Sequence, residues 1–182
     1  SSKKKNEIYI TPSGIKTSNL KQNDISKVDL DGKILNKKKP SSEILLHSWI
    51  YRNHKDIGAV VHSHSKWASI LSCMRINIPA FHYMVAEFGG SDIKCSKYAT
   101  FGSEQLSKYV NKVLHNRKGC LIANHGQVTF ADTLEEAIDL SIALEKLSEQ
   151  YYFLMISRKA KLLSDKEMCK IVKLFKDYKV KH

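Results

Sequence analysis

The stretch Ile57-Gly58-Ala59-Val60-Val61-His62-Ser63-His64-Ser65 constrains this chain more than any other. Ile57 to Val61 is apolar and partly β-branched, the composition of a short buried strand. Side chains alternate faces along a strand, so residues two apart point the same way. The strand is therefore expected to end with two imidazoles, His62 and His64, side by side. A third imidazole, His125, follows much later in Ala123-Asn124-His125-Gly126. Three neutral nitrogens with an open fourth position make the ligand set of a catalytic rather than a structural zinc.

The rest of the chain reads as alternating strands and helices. Ile8-Tyr9-Ile10 is a short strand, closed by the turn Thr11-Pro12-Ser13-Gly14. Residues 25–30 alternate as a strand, and Asp31-Gly32 predicts a hairpin with Lys33-Ile34-Leu35 as the return strand. Ser41-Ser42-Glu43 opens a helix with serine capping, whose expected apolar face is Ile44, Leu45, Leu46 and Trp49. A helix is expected over 67–74, irregular chain over 76–102 and a helix over 103–114. Strands at 120–123 and 128–130 pinch His125-Gly126, which puts His125 at a sheet rim. Thr133-Leu134-Glu135-Glu136 is a capping box that starts a long helix, and 163–180 reads as a shorter basic helix.

A length of 182 residues suits a single domain, 1–182, and 42% hydrophobic content is ordinary for a globular protein. No apolar run reaches the roughly 18 residues that a membrane span needs, and no signal peptide is visible. A cytoplasmic protein with no membrane partner is the expectation. Cys73, Cys95, Cys120 and Cys169 are scattered, with no Cys-x-x-Cys pair, and are expected to be free thiols in or near the core. The net charge of +12 raises the question of nucleic acid, but its distribution argues against that reading. Residues 1–40 and 158–182 each carry +6, whereas 41–157 is neutral. The excess lies on lysines without interleaved aromatics, which describes a solvated surface better than a nucleic-acid groove.

Of the eight histidines, His47, His54, His82, His115 and His182 read as surface or satisfied core residues. Glu43 has two readings: an acid favoured by the positive end of its helix, or a general base beside a metal-polarised carbonyl. Ser41 and Ser42, with Thr11, Ser13 and Gly14, offer hydroxyls and backbone N–H groups of the kind that cradle a phosphate. Together they suggest a phosphorylated small molecule.

The ordered set Ile10-Thr11-Pro12-Ser13-Gly14, Pro40-Ser41-Ser42-Glu43, Val61-His62-Ser63-His64-Ser65 and Ala123-Asn124-His125-Gly126 resembles the class II aldolase and epimerase family. His82-Tyr83-Met84-Val85-Ala86 and Tyr98-Ala99-Thr100-Phe101-Gly102 resemble its L-fuculose-1-phosphate aldolase branch in particular. The resemblance covers roughly residues 7–157. It implies an α/β fold, a three-layer α/β/α sandwich with a mainly antiparallel central sheet, assembled as a homotetramer with sites at subunit interfaces. By the same resemblance, His62, His64 and His125 hold Zn2+ or another divalent metal. Glu43 is the catalytic acid/base and approaches the metal when substrate is absent. Tyr83, from a neighbouring subunit, protonates the leaving aldehyde oxygen. Ser13, Gly14, Ser41 and Ser42 bind phosphate, and Phe101 lies near the aldehyde.

The implied reaction is reversible cleavage of a ketose 1-phosphate, of the L-fuculose 1-phosphate type, to dihydroxyacetone phosphate and L-lactaldehyde. Glutamate at 43 favours aldol chemistry, since the related epimerases carry aspartate there. Alternatives on the same fold are a methylthioribulose-1-phosphate dehydratase, another sugar-phosphate aldolase, or a non-catalytic interaction module. Family members have an N-terminal helix and a Gly-Asn phosphate loop ahead of the first motif. This chain begins at Ser1, too late to contain them, and is expected to be a fragment of a longer protein. Tyr178 is a candidate for a C-terminal tyrosine that covers the site in relatives.

Overall fold

A computed structural model describes residues 1–179, except the side chains of Thr17, Tyr178 and Lys179. The Tyr178 side chain therefore lies outside the described residues. Six strands form one antiparallel sheet: β1 (Ser2–Lys4), β2 (Glu7–Ile10), β3 (Ser26–Asp29), β4 (Ala59–Ser63), β7 (Gly119–Ile122) and β8 (Gly126–Ala131). Their order across the sheet is β3-β2-β1-β4-β8-β7, with a separate two-stranded ribbon of β5 (Ile78–Pro79) and β6 (Asp92–Ile93). Strand β4, which carries the histidine pair, sits inside the sheet beside β8, with His62 opposite Val128 and Ser63 opposite Gln127.

Alternation along β4 sorts the core into two layers. Val60 and its same-face neighbours Val128 and Phe130 pack with α1 (Ile44–Asn53) and α3 (Glu104–Leu114). Ala59 and Val61 face the other way, onto α2 (Lys66–Met74), α4 (Leu134–Ser157) and α5 (Asp165–Lys179). This is the expected three-layer α/β/α sandwich. His62 and His64 continue the Val60 face, so they emerge on the α1 side.

Three local expectations need correction. Residues 33–35 form no return strand; Val28 and Ile34 make only an isolated bridge. Backbone bonds from Asp29 N–H to Lys33 C=O and from Leu35 N–H to Lys27 C=O make that bridge, and side chains carry the rest of the link: Asp29 Oδ1 accepts from the Asp31 and Lys33 N–H groups, and Asn36 bonds both Lys27 N–H and Ile25 C=O. The apolar face of α1 is only partly the expected one: Ile44 and Leu46 pack in the core, whereas Leu45 and Trp49 are not part of it. Leu46, Ile50 and Tyr51 are buried, and Trp49 instead lies at the helix flank with Arg52 and Lys108 over its ring. The cysteines are free, but only Cys120 is fully buried; Cys73 and Cys169 are exposed. Both stand near the ends or outer faces of helices, where sequence periodicity does not report the partner layer. No helix among the described residues is long and apolar enough to cross a membrane.

Candidate active site

The two histidine positions on β4 and the tight β7–β8 connection bring three rings together. His62 lies 5.0 Å from His64 and 4.8 Å from His125 between ring centroids, and His64 lies 4.7 Å from His125. One nitrogen from each ring falls within 4.8 Å of the other two. His62 Nε2 and His64 Nε2 are 3.2 Å apart. Two nitrogens bound at about 2.0–2.1 Å to one tetrahedral ion stand roughly 3.3 Å apart, so the spacing suits a shared cation.

The tautomer of His62 follows from its partner. Its Nδ1 lies 2.8 Å from the Gln127 backbone carbonyl, which only accepts, so Nδ1 carries the proton and Nε2 offers its lone pair to the cluster. Burial, helped by the neighbouring histidines, pushes the His62 imidazolium down to about 3, and it lowers His125 as well. Neutral rings are what a metal requires. His125 follows Asn124, which adopts a left-handed backbone with φ 53°. The turn is held by hydrogen bonds from the Asn124 N–H to Ser72 C=O and from the His125 N–H to Ser72 Oγ.

Glu43 occupies the N-cap of α1 but caps nothing with its side chain. It is 6% exposed. One carboxylate oxygen, Oε1, accepts from Gly102 N–H at 3.0 Å, while Oε2 is buried without a hydrogen-bond partner among the described residues. Burial raises the Glu43 carboxyl above the usual range, and the Gly102 N–H partly offsets this. An orphaned, desolvated carboxylate oxygen costs stability unless something else engages it. Beside three converging imidazoles, that something fits a cation or a substrate proton.

Glu43 and all three histidines line one cavity of about 740 Å³, together with Ser13, Ser41, Ser42, Phe101 and Asn124. The two serine segments meet: Ser13 Oγ accepts from Ser42 N–H at 2.9 Å and lies 3.2 Å from Ser42 Oγ. Ser41 Oγ accepts from Glu43 N–H at 3.1 Å. The serine hydroxyls thus take up free N–H groups at the start of α1, as expected, and also tie the loop to it. Gly14, with φ 83° and open space around its Cα, lies next to this junction but does not line the cavity. Phe101 is 66% exposed. Tyr83 lies outside this cavity, stacked on His82 and near-parallel to Phe175.

Several residues that shape the site carry no sequence signal. Gln127 supplies the carbonyl that orients His62, and the Gly102 N–H holds Glu43. Glu145, on α4, accepts from Ser65 Oγ and from the backbone N–H groups of Trp67 and Ala68. Gly126 does carry a signal: a glycine beside a histidine marks a close backbone approach, here against the Ser63 carbonyl.

A histidine triad beside a desolvated carboxylate, at the rim of an antiparallel sheet between two helical layers, is a grouping that could hold a metal ion. The chain belongs to the class II aldolase family: the model of the Class II Aldolase and Adducin N-terminal domain matches residues 1–152. Class II aldolases are metal-dependent lyases. Among individual proteins, the chain is 41% identical to a 5-methylthioribulose-1-phosphate/5-deoxyribulose-1-phosphate aldolase from Rhodospirillum rubrum, over 94% of this chain and 77% of that protein. It is 38% identical to L-fuculose phosphate aldolase from Escherichia coli K12, over 94% and 80%. A solved L-fuculose 1-phosphate aldolase superimposes with a TM-score of 0.90 at 34% identity, covering 94% of this chain and 81% of that one.

Proposed function

We propose that this chain is a zinc-dependent aldolase that reversibly cleaves a ketose 1-phosphate into dihydroxyacetone phosphate and a short aldehyde ending in an apolar group. The observation that carries the reading is the unpartnered Glu43 Oε2, buried in the same cavity as three imidazoles whose nitrogens converge. His62, His64 and His125 would hold the ion, which when bound supplies electrophilic polarisation of a carbonyl and stabilises developing negative charge. Glu43 removes and returns the carbon-bound proton, its basicity increased by desolvation and its position fixed by Gly102. Ser13, Ser41 and Ser42 turn hydroxyls to the phosphate, with Gly14 allowing close backbone approach. Tyr83 serves the aldehyde oxygen from a neighbouring copy in a tetramer. Exposed Leu134, Ile138 and Ile142, spaced four apart on α4, form an apolar stripe suited to such assembly.

The aldehyde end of the cavity is framed by Tyr98, Ala99 and Phe101. Aromatic surface there favours fragments that end in a methyl or thiomethyl group over polyols. L-Fuculose 1-phosphate, 5-deoxyribulose 1-phosphate and 5-methylthioribulose 1-phosphate all release such aldehydes, and relatives named for each are aldolases. That shared reaction favours carbon–carbon cleavage over loss of water. The test is a panel of these three substrates with zinc-loaded protein, scored by release of dihydroxyacetone phosphate. Release from at least one is expected. Turnover of the methylthio substrate without any triose phosphate would replace this reading with the dehydratase, and no turnover with substoichiometric zinc would replace it with a binding module.

A further inference from the structure

We infer that Glu145 is a positioning residue for the metal ligands, acting from the layer opposite the histidines; the inference rests on the metal-site reading above. Its carboxylate is the meeting point of three donors from the turn that leaves β4. Oε2 accepts from Ser65 Oγ at 2.6 Å and from Ala68 N–H at 2.9 Å, and Oε1 accepts from Trp67 N–H at 2.8 Å. Ser65 is the N-cap of α2, yet its own hydroxyl makes no cap bond. Glu145 takes over that duty from a neighbouring helix, placing negative charge where the α2 dipole favours it.

The same carboxylate reaches His62 through a relay. Gln127, fully buried, donates from Nε2 to Ser65 Oγ at 2.7 Å and to Ser141 C=O at 3.1 Å. An amide N–H2 only donates, so the Ser65 hydroxyl accepts from Gln127 and passes its own proton toward Glu145. Directionality is thereby fixed along the chain Gln127, Ser65, Glu145. The backbone carbonyl of Gln127 is the acceptor for His62 Nδ1. One carboxylate thus anchors the residue that orients His62.

His64 needs this anchor more than His62 does. Its side chain is exposed, and among the described residues it has no carbonyl or carboxylate partner. Its aim is therefore set by the backbone on either side. Ser63 is held in the β4–β8 ladder, and Ser65 is held by Glu145 and Gln127. Removing the carboxylate frees three donors and loosens one of the two supports. A purely packing role would not require an acceptor pair directed at the turn beside a ligand.

The test is zinc affinity of the metal-stripped full chain, measured against a competing chelator, together with the visible spectrum of the cobalt-loaded protein. E145Q keeps the size of the side chain and replaces one acceptor by a donor. It should bind zinc about 10- to 100-fold more weakly and alter the cobalt bands, as loss of a group supporting metal ligands does elsewhere. S65A leaves both backbone N–H bonds to Glu145 in place and removes the hydroxyl that joins Glu145 to Gln127, so a weaker loss of the same kind is expected. E149Q, one turn further along α4 and exposed, should match the wild type. Unchanged zinc affinity and cobalt spectrum in E145Q, with only a lower melting temperature, would assign Glu145 a structural role and overturn the inference. If E145Q fails to fold, S65A decides, and wild-type affinity there overturns it equally. A wild type that binds neither metal defeats the metal-site reading itself, which the wild-type titration reveals on its own.

Discussion

His64 and Glu43 separate metal binding from proton transfer. His64 is exposed and makes its ring contacts only within the cluster, so truncating it removes a ligand without opening a cavity. His64→Ala should change the stability of the metal-free chain by no more than about 0.5 kcal/mol. It should nevertheless lose bound zinc and turnover together, read by metal analysis beside a circular-dichroism melt. Glu43→Gln does the converse. The amide oxygen can keep the Gly102 N–H, but the group no longer takes a proton. Zinc content should stay near that of the wild type while kcat falls by about 10²- to 10⁴-fold. Near-normal turnover in that variant would remove Glu43 from the chemistry.

At the scale of elements, the pairing of β4 with β8 decides whether the three rings meet. A Cβ built on Gly126 would run into the Ser63 carbonyl oxygen and come within 3.2 Å of both Cα and Cδ2 of His64. Backbone cannot yield there as a flexible side chain would. Gly126→Ala should cost about 1–3 kcal/mol, a melting point lower by roughly 2–10 °C, with weaker zinc binding even at temperatures where the fold persists. An unchanged melt would mean the strands separate without penalty. This element also shows what sequence can and cannot disclose. The apolar run before His62, the alternation that pairs it with His64 and the glycine after His125 are local, and the grouping of the three histidines was legible from them. Glu145 and Gln127 were not: each works across layers, on a partner 80 or 62 residues away for its shortest side-chain contact. The missing return strand after Asp31-Gly32 failed for the same kind of reason. Beyond the bridge between Val28 and Ile34, the Asp29 and Asn36 side chains bind backbone groups that a longer ladder would use, and no pattern of hydrophobicity reports that.

For the whole molecule, the protonation of His47 ties stability to pH. Its ring is 4% exposed on α1, with Nδ1 2.8 Å from Ser1 Oγ, and burial holds its imidazolium well below the ordinary value of 6.5. The folded chain therefore keeps His47 neutral at pH values where the unfolded chain protonates it. Its contribution is present in full above the unfolded value. It is lost as pH falls below about 6.5, and the loss continues down to the depressed folded value. Between pH 7.5 and 5.5 this single site should remove about 1.4 kcal/mol, a shift of roughly 0.5 M in the urea midpoint of the metal-free chain. Glu43 has the opposite sign, because a raised carboxyl binds protons more readily in the fold. Other half-buried histidines, His54 among them, add slope of the same sign as His47, so the comparison must be with a variant. H47Q retains a partner for the Ser1 hydroxyl and cannot titrate. The difference in urea midpoint between wild type and H47Q should shrink the apparent advantage of the wild type as pH drops from 7.5 to 5.5. A difference that stays constant across that interval would mean the ring titrates in the fold as it does in the unfolded chain, with water reaching it, and that α1 packs less tightly against the sheet than its buried face indicates.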